Sequence, residues 1–234
     1  GLHGNARGIF GNDKDIIPIV HQGYSNPSQQ FSFRAYPKGG WVLHMLRSEL
    51  GEDLFRKCVK TYLERHQYKT VVTQDLVEIF EELSGRSLSQ FFDQWVYLSG
   101  YPEIKINYAW DELTKQVKLS INQVQMTNEK RPFFRFKLPV KLRVGDKTEM
   151  RTIEISKERE DFCLPLGTAP EVVRFDPEVT VLAKINFEPN EKMLLAQLAD
   201  QTDVIGRLIA VQQLGKKKNK IALEHLGKAL KEDP

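Results

Sequence analysis

Tyr36 stands directly before a proline and two glycines, in the run Ala35-Tyr36-Pro37-Lys38-Gly39-Gly40-Trp41-Val42-Leu43. A phenol with a pKa near 10 stays protonated at working pH and is a neutral hydrogen-bond donor. The other chemistry-bearing residue types have no working spacing. The five histidines are His3, His21, His44, His66 and His225; none is followed by glutamate and no two lie four apart. No helix can therefore present a metal-binding histidine pair on one face. Cys58 and Cys163 form neither a disulfide nor a metal spacing, and Cys58 falls on an apolar helix face as buried filler. A second reading of Tyr36 makes it a half-buried aromatic at a helix entrance.

The elements around Tyr36 follow from the apolar spacing. Pro37 lacks an N–H and suits a first helical turn, and it pushes Tyr36 toward extended angles at the helix mouth. Trp41, Val42, Leu43, Met45, Leu46 and Leu50 then recur at helical spacing, with Gly51 as the stop. Gly39 and Gly40 lower helix propensity by about 1 kcal/mol each, which predicts that this backbone passes close to a sheet or a substrate. A second helix carries Leu54, Phe55, Cys58, Val59, Tyr62 and Leu63 and ends near His66. A third starts with Thr73 as N-cap and Asp75 in its first turn, and ends at Ser84-Gly85. A fourth starts at Ser87, with Gln90 completing a capping box, and is broken by Gly100-Tyr101-Pro102.

This order is Tyr36-x-Lys38-Gly39, Leu50-Gly51 with Phe55, Tyr62-Leu63 with His66, Asp75-Leu76, Leu88 with Phe91 and Trp95, then Gly100-Tyr101-Pro102. It resembles the zinc aminopeptidases of the aminopeptidase N and leukotriene hydrolase family, over about residues 34 to 106. The resemblance implies the helical C-terminal lobe of a thermolysin-like catalytic domain, left through Gly100-Tyr101-Pro102 into a β-sandwich. It also implies a catalytic role for Tyr36: its phenol faces the scissile carbonyl across from the zinc and hydrogen-bonds the oxyanion. The family's H-E-x-x-H helix and its ligand glutamate lie upstream of that tyrosine. Neither is here, since the first glutamate in the chain is Glu49. The chain alone is therefore expected to bind no zinc and to be inactive, with zinc belonging to a full-length parent.

Beyond Pro102 the apolar period switches to two, through Ile104, Ile106 and Tyr108, then Val117, Leu119 and Ile121, then Phe134, Phe136, Leu138, Val140, Leu142 and Val144. Pro139 in the last run predicts an edge or a bulge. Gly145-Asp146 turns into a hairpin over Met150 to Ile155, and short strands follow at Phe162 to Leu164 and Val172 to Phe175. Interleaved Lys115, Lys118, Lys130, Arg131, Arg135, Lys137, Lys141 and Arg143 read as a solvated outer strand face. Helical spacing returns at Glu191 to Ala199, Val204 to Leu214 and Ile221 to Leu230, as in the start of a HEAT or armadillo solenoid. Lys216-Lys217-Lys218-Asn219-Lys220 reads as a solvated loop between two of them. The expected fold is mixed and multi-domain, α + β. It runs from a helical peptidase lobe over 1–102 through a β-sandwich over 103–187 to a truncated solenoid over 188–234.

A net charge of +3, from 34 Lys+Arg against 31 Asp+Glu, makes no case for nucleic acid or an acidic membrane. No apolar run approaches the roughly 18 residues of a membrane span. The chain reads as soluble; its redox compartment stays open, with the cytoplasm slightly favoured. Both ends look cut, which suggests a C-terminal portion of a larger enzyme that cleaves single residues from peptide N-termini. Its expected partners are a peptide substrate and the missing N-terminal lobe, and helices deprived of that lobe predict self-association. Two other readings stay open: a non-catalytic peptidase-like scaffold, and a β-sandwich adaptor that binds partner proteins.

Overall fold

The computed structural model describes residues 6, 8–11, 17–31, 34–129, 132–217 and 219–232, without the side chains of Arg34 and Glu232. His3, and Lys130, Arg131 and Lys218 of the basic runs, lie outside them. The chain divides into a helical unit (Gly1–Pro102, Met126–Phe134 and Thr180–Leu182) and a sheet unit (Glu103–Gln125, Arg135–Val179 and Ala183–Pro234).

In the helical unit, a 3-10 turn Pro27–Gln30 and a π-helical turn Arg34–Lys38 lead into α1 (Gly39–Leu50). Helices α2 (Glu52–His66), α3 (Thr73–Ser84) and α4 (Ser89–Phe92) follow, and α4 runs on as a second π-helical turn, Asp93–Tyr97. Two glycines stop helices as expected. Gly51 (φ 83°) returns its N–H to the Arg47 carbonyl, and Gly85 (φ 65°) returns its own to Glu81.

Two caps differ from expectation. Val72, not Thr73, is the N-cap of α3, because the Asp75 carboxylate reaches back to accept the Val72 N–H at 2.7 Å. The Ser87–Gln90 box does not form. Glu81 on α3 accepts the Leu88 N–H at 2.6 Å, so the previous helix caps α4, and Gln90 turns to Gln94 instead. The core of this unit is Trp41, Val42, Met45 and Leu46 of α1, Cys58 of α2, Phe80 of α3, and Phe92 and Trp95. Two segments from further along the chain complete it. Phe134 packs its ring 5.1 Å from Trp95, and the Leu182 N–H donates to Met45 Sδ at 3.5 Å. Burial pushes the Cys58 thiol up from its ordinary pKa, consistent with a packing role.

The sheet unit holds strands β1 (Glu103–Asp111), β2 (Gln116–Gln123), β3 (Phe136–Val144), β4 (Lys147–Ile155), β5 (Arg159–Pro165), β6 (Val172–Phe175) and β7 (Lys184–Phe187). They form two sheets, β5-β2-β1-β7 and β4-β3-β6, all antiparallel except β1 with β7. The period-two residues bury one side of each: Ile104, Ile106, Val117, Leu119 and Ile121 in the first, Leu138, Val140, Leu142, Ile153 and Ile155 in the second.

Pro139 lies in the central strand of its sheet, which corrects the expected edge or bulge. Its carbonyl accepts the Asp176 N–H at 2.8 Å, so its missing donor faces the same flank, where β6 has already ended at Phe175. The chain turns away there at Asp176 (φ 46°), and no acceptor is left waiting for the absent N–H.

Helices α5 (Glu191–Leu198), α6 (Val204–Lys217) and α7 (Lys220–Glu232) complete the unit around Leu194, Leu198, Ala210, Leu214 and Ala222. Part of the strand face read as solvated is covered by the α5–α6 connection. Lys141 and Arg143 keep only 14% and 19% of their side chains exposed. Lys141 Nζ lies 3.2 Å from Asp200, Arg143 donates to the Ala196 carbonyl at 3.0 Å, and Arg174 donates from Nη1 to both carboxylate oxygens of Asp203. Gly206 is pressed against this cluster: a Cβ there would stand 2.6 Å from Asp203 Oδ2 and 2.7 Å from Arg174 Nη1. Lys115, Lys118 and Arg135 do stay on the surface, paired with Glu112, Asp111 and Glu154. Among the described residues, no helix is long and apolar enough to cross a membrane.

Candidate functional site

Tyr36 lies inside the π-helical turn Arg34–Lys38, not in an extended residue before the helix. Pro37 is carried within that turn, and Lys38, already at helical angles (φ −70°, ψ −38°), passes the chain into α1. The expected boundary is thus displaced upstream. A wider turn accommodates the proline ring that would clash inside an ordinary helix, and such turns recur at functional positions.

The turn is tethered from below. Lys38 is 3% exposed and its Nζ donates to the Leu98 carbonyl at 3.4 Å, just past the second π-helical turn. Trp41, three residues on, is fully buried and meets the His44 ring edge-on at 5.5 Å. Tyr36, two residues before the first of these anchors, is 63% exposed, and its ring stacks on the exposed Phe31 at 5.8 Å and 29°. The chain therefore buries Lys38 and Trp41 just after the motif's tyrosine and displays the phenol. The anchoring role of Lys38 was missed, because nothing in a lysine's local pattern marks it as buried.

Gly39 and Gly40 lack the close contact expected of them. Beyond the chain neighbours and the helix's own backbone, no heavy atom among the described residues lies within 4 Å of where a Cβ would stand at either position. Among the described residues, no sheet is pressed against this backbone, which corrects one of the two expected reasons for the glycines. Gly40→Ala should therefore raise the urea midpoint of this chain, by about 0.5–1 kcal/mol of stability, since it adds helix propensity without a clash. A loss of stability would show that the glycine is held in close contact after all.

Metal chemistry has no support in these residues. Among the described residues, no group of three or more His, Cys, Asp and Glu side chains is placed to hold a metal ion, and the residues present do not fit a zinc centre. The cavity of about 440 Å³ beside Tyr62, His66 and Val71 does not include Tyr36.

Residues 6–95, which contain Tyr36 and both its anchors, match the model of the peptidase family M1 domain. The chain carries part of a peptidase family M1 domain. The M1 match begins well before residue 34, where the ordered motifs become legible. Aminopeptidase N of Lactococcus lactis subsp. lactis is 37% identical over 103 residues, which covers 42% of this chain and 12% of that protein. Aminopeptidase 2 of Candida albicans is 37% identical over 166 residues, covering 69% of this chain and 17% of the relative. A crystal structure of Legionella pneumophila aminopeptidase A in complex with aspartic acid shares the fold, with a TM-score of 0.70 and 18% identity. It covers 90% of this chain and 25% of the other. The chain thus spans less than a fifth of the curated relatives named here.

Proposed function

We propose that this chain is the tyrosine-bearing part of a zinc aminopeptidase that hydrolyses N-terminal residues from peptides, and that Tyr36 donates a hydrogen bond to the oxyanion of the tetrahedral intermediate. The observation that carries this reading is the displayed phenol of Tyr36. It stands exposed just ahead of the buried Lys38 and Trp41, within the segment that matches the M1 domain. A neutral donor aimed where negative charge develops stabilises the transition state without adding charge to the ground state. The bare backbone at Gly39 and Gly40 next to it would let a peptide approach. Zinc, its ligands and the general base belong in this reading to residues of the longer protein, as the resemblance implies.

The same reading divides the chain into the helical lobe of the catalytic domain over 1–102, a β-sandwich over 103–187 and the first helices of a HEAT-like solenoid over 188–234. It also predicts that the chain alone self-associates, because Phe31, Leu63 and Val72 of the helical unit stay largely exposed. Light scattering that gives a monomer mass at high concentration would contradict that.

The test of the activity uses the longer protein from the same source. It should release the N-terminal residue of an aminoacyl anilide, lose that activity on dialysis against a chelator and regain it with added zinc. Activity that persists through chelation, or none under any metal, would overturn the proposal.

A further inference from the structure

β7 stops at Phe187, opposite Ile106, and Pro189 then has no N–H with which to extend the ladder. β1 runs on to Asp111, so its residues 107–111 pair with β2 on one side and, among the described residues, with no strand on the other. The direction of their backbone groups follows from a single bond. The Val124 N–H donates to the Glu103 carbonyl at 2.7 Å, which places Glu103 and every second residue after it toward β2. The main-chain N–H and C=O of Tyr108 and Trp110 therefore point to the open side.

A cavity of about 1050 Å³ runs along this open side, lined by β1, the end of β7 and the last turn of α6. Gln213 holds that wall in place by donating to the Phe187 carbonyl at 3.1 Å. Lys105, Lys216 and Lys217 line the cavity, exposed and without an ion pair among the described residues, against one acidic lining residue, Glu188. An unpaired strand edge is a template for a further strand, with backbone bonds supplying affinity and side-chain charge supplying choice.

We propose that the open edge of β1 takes up an extended acidic peptide segment as an added strand, its backbone pairing with Tyr108 and Trp110 and its carboxylates facing Lys105, Lys216 and Lys217. This surface belongs to the sheet unit and is independent of Tyr36, so the two readings stand or fall apart. Charge complementarity selects the occupant, since three cations on one rim repel a basic segment and leave a neutral one without steering.

The probe is a short acetylated peptide that alternates aspartate or glutamate with valine, titrated into the isotope-labelled chain. It should bind saturably below about 1 mM, a weak-interface affinity, with the largest amide shifts at Tyr108 and Trp110. Methylating alternate peptide nitrogens removes the added strand's donors without altering the protein, and should weaken binding about tenfold or more. The double variant Lys216→Glu, Lys217→Glu alters only exposed side chains and should weaken it by a similar factor, with an unchanged urea midpoint. No saturation in the millimolar range would overturn the proposal. So would N-methylated or lysine-for-acid peptides that bind as tightly, or shifts confined to residues away from β1.

Discussion

Tyr36→Phe in the longer protein should lower peptide turnover by about 100- to 1000-fold, the usual cost of removing one donor to an oxyanion. A bond made only in the transition state lowers kcat and kcat/KM together and leaves KM nearly unchanged. Structural damage would look different. The Tyr36 ring is mostly exposed and Phe31, on which it stacks, is exposed too, so loss of the hydroxyl should leave the urea midpoint within about 0.5 kcal/mol of the parent. Unchanged turnover in the phenylalanine variant would remove Tyr36 from the chemistry, whatever the family match. A matched drop in turnover and stability would make it a structural residue instead.

The second large effect lies in the sheet unit. Asp203→Ala should destabilise the chain by about 3–5 kcal/mol, because it strands the Arg174 guanidinium in a site where that side chain is only 4% exposed. Burial pulls the Arg174 pKa down, and Asp203, Asp176 and Asp200 oppose that pull, so removing the nearest acid leaves the largest cost uncompensated. Urea unfolding followed by circular dichroism measures the loss; less than about 1 kcal/mol would show that Lys141 and Arg174 are solvated. A matched apolar pair, Arg174→Met with Asp203→Leu, should recover most of the stability, since the penalty belongs to the unpaired charge and not to the absence of the bridge.

Acid should loosen the same cluster. Burial raises the Asp200 carboxyl, but hydrogen bonds from Thr202 and Lys141 outweigh it and hold the pKa below its ordinary value. A group depressed in the folded state contributes its stability above the unfolded pKa of about 3.9 and loses it as pH falls through the folded value. The urea midpoint should therefore hold from neutral pH down to about pH 4 and fall below it.

Much of the helical unit is legible in the residues, and the exceptions share a cause. Gly51 and Gly85 mark helix ends through backbone angles that few other residues adopt, so the signal is local and the structure follows it. The caps of α3 and α4 were misplaced because Asp75 and Glu81 supply acceptors from positions that the local pattern does not rank against Thr73 or Ser87. The π-helical turns at Arg34–Lys38 and Asp93–Tyr97 leave no mark in apolar spacing. In the sheet unit the missed strand is β7, four residues long and paired parallel to a strand some eighty positions earlier. Lys141 and Arg143 sit at the same period-two positions as surface lysines, and only the arrival of Asp200 and Asp203 makes them internal. At the candidate site, an ordered set of weak motifs singles out Tyr36 in the sequence, whereas the burial of Lys38 depends on a carbonyl sixty residues away.

The helical unit draws Phe134 and Leu182 from chain that leaves it at Pro102 and returns twice. During synthesis, a nascent chain stopped at residue 102 has neither the ring that packs on Trp95 nor the backbone donor to Met45. The unit that displays Tyr36 therefore completes its core only after residue 182 has left the ribosome, when most of the strands between its pieces have already been made.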